Sequence, residues 1–209
     1  MSKKMDKYKR QQTNRALKNK VLVLCGGKTE EVYFKLLVNH LRDNKSTTFG
    51  NITIDISSKG VDQLGIVSKA INMCKNENYH EVWVVFDKDD GHHLDDAVDL
   101  AKSNEIKIAY SNKAFEYWIL LHLVEVHTPM SVNDLISKLG KMLGFDYKKN
   151  VEFDKVFKAI IGFILVAEER AKARHQLLLS DGIAMPSKQY SCTTVYNLTK
   201  RLSQWCHGV

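Results

Sequence analysis

The chain has 209 residues, 44% hydrophobic and 26% charged, which is ordinary for a soluble globular protein of one domain with an appendage, or of two small domains. No apolar run approaches the ~20 residues needed to cross a bilayer and no secretory signal is read at the start, so a cytoplasmic protein is expected. Cys25, Cys74, Cys192 and Cys206 are widely spaced without a Cys-x-x-Cys pair, which indicates neither a zinc knuckle nor a disulfide framework.

The net charge of +7 is unevenly placed. Residues 1–20 carry eight basic side chains (Lys3, Lys4, Lys7, Lys9, Arg10, Arg15, Lys18, Lys20) against Asp6, and the other 189 residues balance at 23 against 23. A basic arm on a neutral body suits salt-dependent contact with a phosphate backbone. A solvated tail that only keeps the protein soluble is the other reading. With Tyr8 as its single aromatic residue, the arm gives little support for base stacking.

After the arm, Val21–Cys25 is a short apolar strand. Gly26-Gly27-Lys28-Thr29-Glu30-Glu31 follows, and from Glu30 the period changes: Val32, Tyr33, Leu36, Leu37 and Leu41 make one helical face, with Thr29 as its N-cap. Asn51–Ile56 alternates as a second strand, and Asp62–Cys74 is helical. Val82–Asp90 is an apolar run that ends in carboxylates, which predicts a buried strand delivering charge to a sheet edge. Asp87 and Asp89, two apart, share a face if strand geometry persists that far. Two carboxylates held together repel unless neutralised, so a hard divalent cation is the first hypothesis and an acidic loop capping the next helix is the second. A helix from about His93 to Lys102 and a fourth strand, Ile106–Tyr110, complete an alternation that predicts a mainly parallel α/β sheet with ligands at the carboxyl ends of its strands. That topology would bring Glu30 to Asp87 and Asp89.

Ala114–Leu123 is apolar except for Glu116 and His122, which predicts a buried helix whose carboxylate needs a partner or a metal. His122 reads as a satisfied core histidine and the His92-His93 pair as solvated surface. The remainder is helical over Val132–Leu143, within Phe153–Leu179 and over Thr193–Trp205, with a loop at 180–192. Gly27-Lys28-Thr29 has the look of a P-loop end, but the position of its first glycine holds Leu22, so phosphate wrapping by backbone N–H groups is excluded. Asp87-x-Asp89 also occurs in calcium loops and aspartyl-phosphate phosphatases; the calcium spacing is absent, and the pair follows the third strand rather than the first.

What survives is strand, turn, Glu, helix; then strand, Asp-x-Asp; then Ser-Asn-x-x-Phe-Glu on a helix. Leu24-Cys25-Gly26-Gly27-Lys28-Thr29-Glu30 with Tyr33-Phe34, Phe86-Asp87-Lys88-Asp89-Asp90, Ser111-Asn112-Lys113-Ala114-Phe115-Glu116-Tyr117-Trp118 with Leu120-Leu121-His122, and Ser191–Tyr196 carry a resemblance to the RloB-like family of the TOPRIM superfamily, found in abortive-infection systems. The resemblance implies a TOPRIM-like, Rossmannoid α/β fold whose mainly parallel sheet is flanked by helices, with a helical C-terminal portion. It divides the chain into an arm (1–20), an α/β domain (21–125) and a helical extension packed on it (126–209). It further implies a metal-dependent nuclease subunit of an anti-phage defence system acting on DNA or RNA. Mg²⁺ or Mn²⁺ would be held by Glu30, Asp87 and Asp89, with Glu116 and Asn112 lining the site and Lys28 on a phosphate. The arm residues Lys3, Lys4, Lys7, Lys9, Arg10 and Arg15 would hold nucleic acid, a partner ATPase of the AAA or ABC type would be encoded alongside, and a homo-oligomer is allowed. The family pattern Cys-Glu-Gly-Lys-Thr-Glu has its first glutamate where this chain has Gly26. A glycine cannot ligate through a side chain, so one metal position or one proton transfer lacks its group. A non-catalytic sensor or scaffold is the alternative function.

Overall fold

The computed structural model describes residues 20–43, 52–56, 62–88, 93–149 and 151–207. The arm 1–19, the segment 89–92 with Asp89 and His92, and Asn51 at the start of the second expected strand lie outside them. Among the described residues, five strands, β1 (Val21–Cys25), β2 (Ile52–Ile56), β3 (Glu81–Asp87), β4 (Lys107–Asn112) and β5 (Cys192–Thr193), form one sheet in the order β2-β1-β3-β4-β5. The first four are parallel and β5 is antiparallel. Every residue of β1 is buried, as is β3 up to Asp87, which is why both read as continuous apolar runs.

Helices cover both faces. Leu22 and Leu24 of β1 with Val84 and Phe86 of β3 pack against α2 (Gln63–Asn76) and α3 (Leu94–Ser103). Their alternate neighbours Val21, Val23, Cys25, Trp83 and Val85 pack against α1 (Lys28–Asp43), α4 (Phe115–Leu123) and the helices that follow. These are α5 (Val132–Leu143), α6 (Phe153–Ile160), α7 (Ile164–Ser180) and α8 (Val195–His207). This second apolar cluster runs from Val21 to Leu202, so the C-terminal helices share a core with the first strand. The expected buried helix is α4: Phe115 to His122 are all buried, because the sheet, α5 and α7 surround it.

Three local expectations are corrected. Thr29 lies inside α1, which starts at Lys28, and is not its N-cap. The stretch Phe153–Leu179 is two helices, with a 3₁₀ turn at Ile161–Phe163 around Gly162, a residue that weakens a helix interior by about 1 kcal/mol. The last helix starts at Val195 rather than Thr193, because Thr193 belongs to β5 and its hydroxyl accepts a hydrogen bond from the Val195 N–H (3.2 Å), the work of a capping residue.

Candidate active site

In this strand order the chain leaves β1 toward β2 on one side and returns to β3 on the other, so the sheet's topological switch point lies between β1 and β3, where open α/β sheets bind their ligands. Gly26 continues the pairing there, its N–H donating to the Val85 carbonyl at 2.7 Å. Glu30 sits in the first turn of α1, buried at 5% exposure, close to the positive end of the helix dipole. Its carboxylate lies back over the glycine turn: a Cβ on Gly27 would stand 2.5 Å from Glu30 Oε2 and 3.0 Å from Oε1. Asp87 ends β3, on the strand parity of Trp83 and Val85, and so on the α1–α4 side of the sheet.

Glu116, in the first turn of α4, has no exposed surface. The Tyr147 hydroxyl donates to its Oε1 at 3.2 Å, and the Lys149 ammonium pairs with its Oε2 at 3.2 Å. The same loop feels all three acids. Burial pulls the Lys149 pKa down, but the negative charges of Glu116, Asp87 and Glu30 more than offset this and the net shift is upward, so Lys149 stays protonated. The Tyr147 hydroxyl is pushed up, first by burial and then by Glu116, Glu30 and Asp87, so it remains a neutral donor. Glu116 therefore touches both the tyrosine and the lysine, and Glu30 and Asp87 act on them as nearby charges. Neither Tyr147 nor Lys149 belonged to a sequence motif; their one local signal is an aromatic residue in the polar run Asp146–Asn150, which carries no periodicity.

Oxygen donors of this kind suit a hard divalent cation. Among the described residues, no three or more His, Cys, Asp or Glu side chains are grouped closely enough to hold a metal ion. A complete ligand set drawn from Glu30 and Asp87 thus needs Asp89, which lies outside the described residues. Glu31 takes no part. Burial raises its pKa but Lys28 (2.7 Å) and Lys35 (2.5 Å) hold it below the usual carboxylate range. Lys28 is therefore tethered at the rim of the turn, more than half exposed. Gly26 is on the parity of Leu22 and Leu24, and a Cβ there would meet the tip of Ile66 on α2 at 3.0 Å and the Val85 carbonyl at 3.3 Å. A side chain at 26 would thus leave the sheet on the face opposite Asp87.

Asn112 is buried at the end of β4, its amide donating to the Pro186 carbonyl at 3.3 Å. It borders a cavity of about 310 Å³ together with Lys88, Lys113, Tyr117 and Tyr190, beside the end of β3. His122 is the core histidine expected: Nδ1 lies 3.0 Å from the Trp118 carbonyl and Nε2 3.4 Å from the Tyr33 hydroxyl, and burial pulls its pKa down to about 4. His93 is half exposed beside Asp96. None of the four cysteines is in a disulfide. No helix among the described residues is long and apolar enough to cross a membrane.

An open, mainly parallel α/β sheet with buried carboxylates near its strand ends defines a doubly wound protein, a class that binds its ligands at the carboxyl ends of the strands. The chain belongs to the RloB-like family, whose model matches residues 21–202, from the first residue of β1 into α8. No curated protein and no solved structure matches it.

Proposed function

We propose that this chain is a TOPRIM-type, divalent-metal-dependent nuclease subunit of an anti-phage defence system, working with a partner ATPase on DNA or RNA. The observation that carries the reading is the buried Glu116 held by Tyr147 and Lys149, with Glu30 and Asp87 at the neighbouring strand ends near enough for their charges to be felt there. Glu30, Asp87 and Asp89 would hold Mg²⁺ or Mn²⁺. Such an ion, when bound, supplies a Lewis acid for a phosphoryl oxygen and lowers the pKa of a water. Glu116 keeps Lys149 charged and in place, and that ammonium offers a fixed positive charge to a phosphate. Lys28 at the rim and the basic arm would position the nucleic-acid backbone.

A non-catalytic sensor or scaffold is the second reading, and Gly26 is what favours it. Titration calorimetry of Mg²⁺ and Mn²⁺ into this protein and into an Asp87→Ala, Asp89→Ala variant, with and without nucleic acid, separates the two. Binding that is present in the first and lost in the second is expected. The same heats from both proteins would overturn the metal site. In parallel, Gly26→Glu should leave metal-dependent cleavage nearly unchanged, because its side chain would leave the sheet on the face opposite Asp87 and meet Ile66; a gain by a factor of about 10²–10⁴ would show instead that position 26 reaches the site and that its glycine disables the nuclease.

A further inference from the structure

The second site is at the other end of β4. β5 pairs only with Ser111 and Asn112, so the outer edge of β4 has no strand beside it before Tyr110 among the described residues. The backbone direction follows from two bonds: the Lys88 N–H reaches the Ser111 carbonyl from the β3 side, whereas the Thr194 N–H reaches the Tyr110 carbonyl from the outer side. Backbone groups alternate in direction along a strand, so Ile108, two before Tyr110, turns its N–H and C=O outward. They face a groove of about 800 Å³ bounded by α3, the end of α7 and α8. Val98, Leu179 and Pro186 give it an apolar floor, with Leu179 45% exposed. Four cations, Lys102, Lys107, Lys200 and Arg201, line it and no Asp or Glu does. The carboxylates that face these cations from outside the lining are Glu81, shared by Lys107 and Arg201, Asp99, 4.0 Å from Lys102, and Glu168, whose charge is felt by Lys200, so the cations outnumber them.

We infer that this groove receives an extended acidic segment of a partner protein, added to the sheet at Ile108 with acidic and apolar side chains alternating. A strand sends successive side chains to opposite sides, so one set would rest on the apolar floor and the other would meet the lysines. The chain's own arm is the wrong occupant: residues 1–19 hold seven basic side chains against Asp6. Nucleic acid is disfavoured by the lining, because its aromatic residues, Trp83 and Tyr110, are each 5% exposed and offer no face for a base. The site is separate from the acidic strand ends and does not depend on their chemistry.

The test uses the full chain and a fluorescein-labelled octapeptide of alternating glutamate and valine, with its lysine–valine counterpart and a thymidine decanucleotide as comparison probes. Saturable binding of the acidic peptide, protection of the Ile108 amide from hydrogen exchange, and at least a tenfold loss of affinity in Lys102→Glu, Lys200→Glu are expected. Lys102 is exposed and Lys200 half-buried near Glu168, so Lys102→Ala, Lys200→Ala, which adds no carboxylate there, is measured alongside and should weaken acidic-peptide binding in the same direction. Absence of acidic-peptide binding, binding unchanged in the double variant, an unprotected Ile108 amide, or oligonucleotide binding that the double variant abolishes would each overturn the inference.

Discussion

Glu116 is the residue on which the site's electrostatics turn. A carboxylate with no exposed surface is tolerated because Tyr147 and Lys149 reach it, and removing one partner of a buried pair leaves the other uncompensated. Lys149 keeps 43% of its side chain in solvent, so its loss falls below the full buried-pair range: Lys149→Met should lower unfolding stability by about 1–3 kcal/mol in urea. Glu116→Gln added to it should restore part of that, and a double-mutant cycle with no coupling would sink the pairing. His122 sets a pH dependence. Its pKa is about 4 in the fold against 6.5 unpacked, so between these values the unfolded chain binds the proton and the folded one does not. Its neutral burial is without penalty above about pH 6.5, and stability falls as the pH drops toward 4, by up to about 1.4 kcal/mol per pH unit. His122→Gln should flatten that slope between pH 6.5 and 4.5 in denaturation measured across the range; an unchanged slope would assign it to other groups.

Among the elements, α8 is tied to the sheet by one carboxylate. Glu81, at the start of β3, accepts from Trp83 Nε1 (2.6 Å) and from Arg201 Nε (2.9 Å) and pairs with Lys107 Nζ (3.0 Å). Burial alone would raise its pKa, but these donors more than offset that and hold it below the usual carboxylate range. Glu81→Ala should cost about 2–3 kcal/mol, chiefly because the buried Trp83 N–H loses its acceptor; a loss under about 0.5 kcal/mol would show that apolar packing alone fixes α8. The positions of most elements were legible locally. The Ile52–Ile56 alternation, the Asp62 boundary of α2 and the apolar α4 all follow from residues within a few positions of one another. What was not legible is β5. Two residues carry no period, and Cys192–Thr193 becomes a strand only because β4 offers an edge and the Ser111 and Thr193 hydroxyls meet at 2.9 Å.

At the scale of the molecule, the charge asymmetry is the sequence's strongest statement about partners. Lys20, counted with the arm, is an exception: it pairs with Glu77 and lies over the Tyr79 ring, so it belongs to the body. Residues 1–19 lie outside the described structure, and their function rests on composition. Deleting them should abolish salt-dependent nucleic-acid binding, read as the slope of log affinity against log salt; an unchanged slope would move the interface to the body.

Read alone, the sequence determined the α/β alternation, the arrival of Asp87 at the end of a buried strand, and the burial of Glu116. Each is written in spacings of two to four residues, because backbone geometry makes those spacings visible. Only the tertiary structure decided that Tyr147 and Lys149 meet Glu116, 31 and 33 positions away, that Arg201 meets Glu81 across 120, and that the edge of β4 stays open at Ile108. Those pairings depend on how packed faces bring distant segments together, and no local period records them.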